Sequence, residues 1–133
     1  WDKALSMNGN SAPYLQYAFA RMASLRDKYR ERFPAGRPEA HPLRVTAPVE
    51  RELILVLARF PETLIRAADS HKPSLLADYL YHLAGIYSTF YQNVPVLKAE
   101  EGIRESRVRL GGAVAAVLRT GLNLLGIETP ERI

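Results

Sequence analysis

Two tyrosines, Tyr14 and Tyr17, stand three residues apart directly after a turn-forming stretch of asparagine, glycine and serine. This spacing places both rings on one face of a helix, and the free N–H groups at a helix N-terminus attract phosphate. Exposed aromatic rings are platforms on which unpaired bases stack, at about 1–3 kcal/mol per base. Such a pattern can recognise a single-stranded RNA loop. The same spacing also suits two tyrosines buried in a core, and these residues alone leave both interpretations open.

The sequence lacks the motifs of the common catalytic sites. It contains no cysteine, which excludes disulfides, thiolate zinc sites and cysteine nucleophiles. No HExxH, GxSxG or phosphate-binding loop is present, and Gly111-Gly112 interrupts a helical pattern instead of following a strand. The histidines His41, His71 and His82 lie far apart in sequence. We therefore expect no catalytic residue, no metal and no cofactor in this chain.

The positive charge is concentrated in the first third of the sequence. Residues 1–45 carry eight Lys and Arg against four Asp and Glu, whereas residues 46–133 carry ten of each. The whole net charge of +4 therefore belongs to residues 1–45. A basic surface of this kind is typical of proteins that bind a polyanion, although it also suits an ordinary solvated helix face.

Apolar residues recur every three or four positions through most of the chain, which predicts helices and no sheet. Prolines and glycines divide the pattern into helical segments at 13–33, 48–60, 62–70, 73–92 and 101–125. Residues 1–12 are predicted to be an irregular leading loop, and residues 34–47 a long irregular connection. We expect one all-α domain, 1–133, in which residues 13–133 form a bundle of five or six helices.

Three parts of the sequence resemble one family, in order and at family-like spacing. Residues 9–18, Gly-Asn-Ser-Ala-Pro-Tyr-Leu-Gln-Tyr-Ala, resemble the signature that opens the anticodon-binding domain of class I arginyl-tRNA synthetases. Residues 118–127, followed by Pro-Glu-Arg at 130–132, are similar to the closing helix and tail of that domain. Residues 80–84, 90–91 and 95–97 are similar to its middle helix and the loop that follows. The resemblance extends over the whole chain.

The resemblance implies a DALR-type helical bundle that recognises the anticodon stem and loop of arginine tRNA. In this family the second anticodon base, a cytidine, is a major identity element. The anticodon-binding residues implied by the matching positions are Tyr14, Tyr17, Tyr91, Asn8, Gly9, Asn10 and Ile133. The last of these departs from the family, which commonly ends in methionine.

The resemblance also implies that the reaction belongs to a catalytic domain absent from this chain. That domain would use ATP and arginine for aminoacylation. We expect this chain to be a non-catalytic, monomeric, cytoplasmic piece of an arginine-tRNA ligase, with tRNA and its own catalytic domain as partners and no membrane contact. Three alternatives remain open: the anticodon-binding domain of another class I synthetase, a helical module that binds only protein, or a small helical enzyme whose site no motif marks.

Overall fold

The computed structural model describes residues 11–132, which fold into α-helices. These are α1 (Ser11–Arg32), α2 (Pro48–Ala58), α3 (Phe60–Asp69), α4 (Pro73–Asn93) and α5 (Ile103–Leu124), with a short 3-10 helix at Pro38–Ala40. No strand occurs in this part of the chain, which confirms the predicted all-helical class. Only Arg59 separates α2 from α3. Counted as one bent helix, that pair reduces the described bundle to four helical units, fewer than the predicted five or six.

Helix α1 is described from Ser11 onwards, and Pro13 lies among its first described residues. Proline is accepted in the first turn of a helix because the N–H groups there have no intrahelical partner. The buried side of the helix carries Leu15, Phe19, Met22 and Tyr29. These positions repeat at three, four and seven residues, as expected for one face packed on a core.

The core lies between α4 and its neighbours. Helix α4 packs against each of the other four helices, and its side chains Leu80, Leu83 and Phe90 are fully buried. Helix α5 contributes Val114 and Leu118, which are also fully buried. Because α4 packs against four other helices, the side chains that remain exposed on it are held in a fixed orientation.

Helices α4 and α5 approach closely at Gly121. A Cβ atom added to Gly121 would lie 2.7 Å from the Leu80 side chain. That distance is shorter than any ordinary van der Waals contact, so only glycine fits this position without a shift of the core.

The segment between α1 and α2 is irregular as predicted, except for the short 3-10 helix, and α5 fastens it to the bundle. The backbone N–H of Arg44 donates to Ser106 Oγ at 2.7 Å, and Arg109 donates to the carbonyl of His41 at 2.6 Å. Arg107 donates to Thr46 Oγ1 at 2.9 Å. Side chains of one helix therefore hold the segment along much of its length.

Candidate nucleic-acid interface

The first half of α1 presents Tyr14, Tyr17 and Arg21 along the edge that faces α4. Their spacing of three and four residues places them on one side of the helix. Tyr17 is 57% exposed, and Tyr14 is partly buried against the core. Leu15 and Phe19 of the same turns are buried and hold the other side of the helix in the core. The position of the tyrosines is thus set by rigid packing and not by a loop.

Arg21 brings Tyr17 and Tyr91 together although they belong to different helices. Its guanidinium carbon lies 4.3 Å from the centre of the Tyr91 ring and 6.0 Å from that of Tyr17. Tyr91 remains 37% exposed, and its ring centre is 6.3 Å from that of Tyr87, which is buried. The half-buried cation and the two exposed rings form a single cluster, in which a cation over an aromatic face contributes about 0.5–1 kcal/mol.

A second aromatic pair lies farther towards the start of α1. The ring centres of Tyr14 and Tyr81 are 5.1 Å apart, and the ring planes are inclined at 42°. Tyr81 is 44% exposed. Because Tyr14 meets Tyr81 and Arg21 meets Tyr91, α1 and α4 run in the same direction along this edge. We call the set Tyr14, Tyr17, Arg21, Tyr81 and Tyr91 the aromatic seam.

Four of the predicted site residues, Asn8, Gly9, Asn10 and Ile133, lie outside the described residues. The tail just before Ile133 is described, and it packs on α1. Gln16 donates to the carbonyl of Glu128 at 3.0 Å. Glu131 forms ion pairs with Arg26 at 2.9 Å and Arg119 at 3.4 Å.

The position of this tail relative to the seam follows from helix geometry. Arg26 and Tyr17 are nine positions apart, or about two and a half turns. Glu131 therefore contacts the flank of α1 that lies opposite Tyr17.

Two members of the seam, Arg21 and Tyr81, were not among the predicted site residues. A signal for Arg21 existed in the sequence, since it continues the face of Tyr14 and Tyr17 at helical spacing. No signal marked Tyr81, because its contact with Tyr14 depends on how α1 and α4 pack.

The buried carboxylate of Glu105 lies away from the seam and has a structural role. It accepts hydrogen bonds from the Tyr29 hydroxyl and the Arg104 Nε, both at 2.8 Å, and from the Gly102 N–H at 2.9 Å. Burial alone would raise the pKa of Glu105, but these bonds outweigh burial and lower it to about 2. Burial and the bond to Glu105 raise the pKa of Tyr29 to about 12. Each group is held in one protonation state near neutrality, which does not suit proton transfer.

Glu50 is a second buried carboxylate with a structural role. It accepts hydrogen bonds from the N–H groups of Thr46 and Ala47, at 2.6 and 3.0 Å, just before α2. Arg107 of α5 pairs with it at 2.7 Å. Burial would raise the pKa of Glu50, but these bonds lower it. Glu50 thus both caps α2 and joins it to α5.

A cavity of about 540 Å³ lies between α1 and α5. Its walls include Phe19, Met22 and Tyr87, and Arg30 stands at its edge. Within residues 11–132, no group of three or more His, Asp or Glu residues is close enough to hold a metal ion. No helix of this same stretch combines the length and apolar character needed to cross a membrane.

Comparisons with known proteins show the family to which this chain belongs. The sequence profile described as the DALR anticodon binding domain matches residues 15–133. The arginine-tRNA ligases of Pyrococcus abyssi and Haemophilus ducreyi are 45% and 41% identical over 139 residues, and both matches cover 100% of this chain. The solved arginyl-tRNA synthetase of Thermus thermophilus matches with a TM-score of 0.76 and 36% identity, also over 100% of this chain.

The matches cover only a small part of each relative. They correspond to 21% of the Pyrococcus abyssi protein, 23% of the Haemophilus ducreyi protein and 23% of the Thermus thermophilus chain. Most of each relative therefore lies outside the region that corresponds to this sequence.

Proposed function

We propose that this chain, which belongs to the DALR anticodon-binding domain family, binds the anticodon loop of arginine tRNA. It would do so as part of an arginine-tRNA ligase. The observation that supports this most directly is the cluster of Tyr17, Arg21 and Tyr91, in which two exposed rings flank one cation. The names of the relatives support the choice of arginine tRNA over another tRNA.

In this proposal the unpaired bases of the loop stack on the seam. Every base offers a π-face to an exposed tyrosine, and stacking on one ring contributes about 1–3 kcal/mol. Tyr17 and Tyr91 receive one base, and the exposed part of the Tyr14–Tyr81 pair receives a neighbouring one. The Arg21 guanidinium lies over the Tyr91 ring in the free chain, so a base that stacks on that face takes its place, and the displaced charge is then free to pair with a loop phosphate.

Rigid support of the rings lowers the entropic cost of binding. Tyr91 rests on the buried Tyr87, and Tyr14 rests on Tyr81 and the core. Side chains held before binding lose little freedom when the base arrives. The first described turn of α1 contains no acidic residue, so no carboxylate of that turn opposes a phosphate at the positive end of the helix dipole.

The remaining residues of the predicted site complete the proposal. Asn8, Gly9 and Asn10 precede α1 and would lie against the RNA, and Ile133 would give an apolar contact near the bases. The cytidine at the second anticodon position is the base we assign to the seam. ATP and arginine bind in a catalytic domain outside this sequence, and this domain has no cofactor of its own.

Fluorescence anisotropy with a labelled hairpin that carries an arginine anticodon tests the proposal. We expect Tyr17→Leu and Tyr91→Leu each to weaken binding by about 1–3 kcal/mol and to leave the melting temperature nearly unchanged. Ile65→Ala is the matched control, since Ile65 is 62% exposed on α3, outside the seam. A hairpin with adenosine at the second anticodon position should bind more weakly than the parent hairpin.

Three results would contradict the proposal. The first is equal affinity of the wild-type chain for both hairpins. The second is loss of affinity in Ile65→Ala as large as in Tyr17→Leu. The third is the absence of any hairpin binding, which would favour the alternative that this module binds only protein.

A further inference from the structure

The cavity between α1 and α5 lies on the other side of α1 from the aromatic seam. Phe19, Arg26 and Arg30 belong to its wall, and at about 100° per residue they point about 180–220° away from Tyr17. Its volume of about 540 Å³ falls within the range of pockets that hold small molecules, about 300–1,000 Å³. Binding of an RNA loop on the seam makes no use of this cavity.

Two glycines in the middle of α5 form part of the cavity wall. Gly111 and Gly112 line it, although glycine is unfavourable inside a helix. A Cβ atom added to Gly112 would meet nothing within 4 Å, so packing within the described residues does not require glycine there. Glycine also allows a ligand to approach a backbone closely. A flat group lying on the α5 backbone would account for glycine at this position.

The Tyr87 hydroxyl is a buried polar group beside the same space. Tyr87 lines the cavity and is 2% exposed, and its hydroxyl has no hydrogen-bond partner among residues 11–132. The hydroxyl oxygen lies 3.8 Å from the position of a Cβ on Gly111, next to the space that this glycine leaves open. Burial raises the pKa of Tyr87, so the hydroxyl keeps its proton and can donate. Because buried polar groups are nearly always hydrogen-bonded, an acceptor on a ligand suits this position.

The edge of the cavity carries an excess of positive charge. Four arginines belong to its wall, against one carboxylate, Glu39. Two of them, Arg26 and Arg119, pair with a carboxylate of the C-terminal tail. The other two, Arg30 and Arg109, are exposed and form no ion pair within the part of the chain that the structure describes. A guanidinium can bind a carboxylate through two parallel hydrogen bonds, so these two arginines suit an anion.

We infer that this cavity binds a small aromatic anion. The ring lies between Phe19 and the backbone at Gly112. The anionic group pairs with Arg30 and Arg109 at the edge, and an acceptor on the far side of the ring accepts a hydrogen bond from Tyr87. The seam contributes no residue to the cavity wall, so the anion and the RNA loop bind at separate sites.

The probe 6-hydroxy-2-naphthoate has an aromatic body, a carboxylate at one end and a hydroxyl at the other. Isothermal titration calorimetry with the whole chain should show saturable binding with a Kd of about 1 mM or below. The related compound 2-naphthol lacks the carboxylate and should bind at least about tenfold more weakly. The compound 2-naphthoate lacks the hydroxyl and should bind about two- to tenfold more weakly.

Gly112→Leu tests the location by filling the cavity from α5. Gly85→Leu is the matched control, because it makes the same change on α4, outside the cavity wall, where an added Cβ also meets nothing within 4 Å. We expect Gly112→Leu to abolish binding of 6-hydroxy-2-naphthoate and Gly85→Leu to leave it unchanged. Circular dichroism should show that both variants remain folded, since neither added Cβ meets a packed neighbour.

Arg30→Gln and Tyr87→Phe test the two polar contacts. Arg30→Gln should weaken binding of both carboxylates about tenfold and leave that of 2-naphthol unchanged. Arg32→Gln is its control, because Arg32 is exposed in the same last turn of α1 but does not line the cavity. Tyr87→Phe should bind 6-hydroxy-2-naphthoate and 2-naphthoate with equal affinity, since it lacks the hydroxyl that distinguishes them.

Three results would overturn this inference. If no probe shows saturable binding to the wild-type chain, or if Gly85→Leu loses as much affinity as Gly112→Leu, the cavity is not a binding site. If Arg30→Gln weakens 2-naphthol as much as 6-hydroxy-2-naphthoate, Arg30 does not contact the anionic group. A loss of hairpin affinity in Tyr17→Leu would still support the proposed function in each case, because Tyr17 lies outside the cavity wall.

Discussion

Replacement of Glu105 by glutamine removes the carboxylate that joins the start of α5 to α1. The pKa of Glu105 is about 2 in the folded protein, against an ordinary value of 4.5. One pKa unit corresponds to about 1.4 kcal/mol, so this carboxylate contributes on the order of 3 kcal/mol at neutral pH. The side chain is 2% exposed, so solvent screens the interaction little.

The direction in which this contribution to stability changes with pH follows from the lowered pKa of Glu105. Above pH 4.5 the carboxylate is ionised in both folded and unfolded chains, and its full contribution is present. As the pH falls from 4.5 towards 2, the unfolded chain takes up a proton first, and the contribution is lost. Glu105→Gln should therefore be less stable at pH 7 by about 3 kcal/mol and should lose less stability on acidification than the wild-type chain does.

Urea unfolding at a series of pH values between 7 and 2.5, followed by circular dichroism, measures both effects. Glu62→Gln is the control, because Glu62 is exposed in the first turn of α3. Tyr29→Phe should give an intermediate result, since it removes one of the three donors but leaves the carboxylate. Equal stability of Glu105→Gln and wild type at pH 7, or parallel pH curves for the two, would refute this account of the buried network.

Three further predictions concern stability and binding. Gly121→Ala should lower the free energy of unfolding, measured in urea, by about 1–3 kcal/mol, because the added Cβ would meet Leu80 at 2.7 Å. The Cβ added by Gly112→Ala meets nothing within 4 Å, so this variant should raise the free energy of unfolding by about 0.5–1 kcal/mol. Arg107→Ala should cost about 3–5 kcal/mol in urea unfolding, because it leaves Glu50 buried without its cation, and a variant as stable as wild type would contradict this. Hairpin binding should weaken steeply as salt rises, since phosphate contacts dominate it, and affinity that is constant between low and high salt would show that they do not.

Much of the fold could be predicted from the sequence because prolines and periodicity act locally. Pro48 and Pro73 begin α2 and α4, as expected for a residue that fits the first helical turn. Pro13 likewise lies among the first described residues of α1. Helix ends are weakly specified by sequence, because the first turn makes few hydrogen bonds of its own.

The seam and the buried network could be predicted only in part, because they depend on contacts between helices. The face shared by Tyr14 and Tyr17 is a property of one helix. The contacts of Arg21 with Tyr91 and of Tyr14 with Tyr81 require the packing of α1 on α4. Glu105 lies in the first turn of α5, but its burial and its bond to a tyrosine 76 positions earlier depend on the packing of two helices.

The pairing of α1 with α5 has a consequence for the order in which the chain folds during synthesis. Tyr29 of α1 meets Glu105 of α5 across 76 residues, and Gln16 of α1 meets Glu128, in the tail that follows α5, across 112. Loop closure over such separations slows folding, and the ribosome delivers α1 long before its partner. The apolar face of Leu15, Phe19 and Met22 therefore lacks its α5 partner until α2, α3 and α4 have been synthesised, and we expect the nascent chain to expose part of this face during that time.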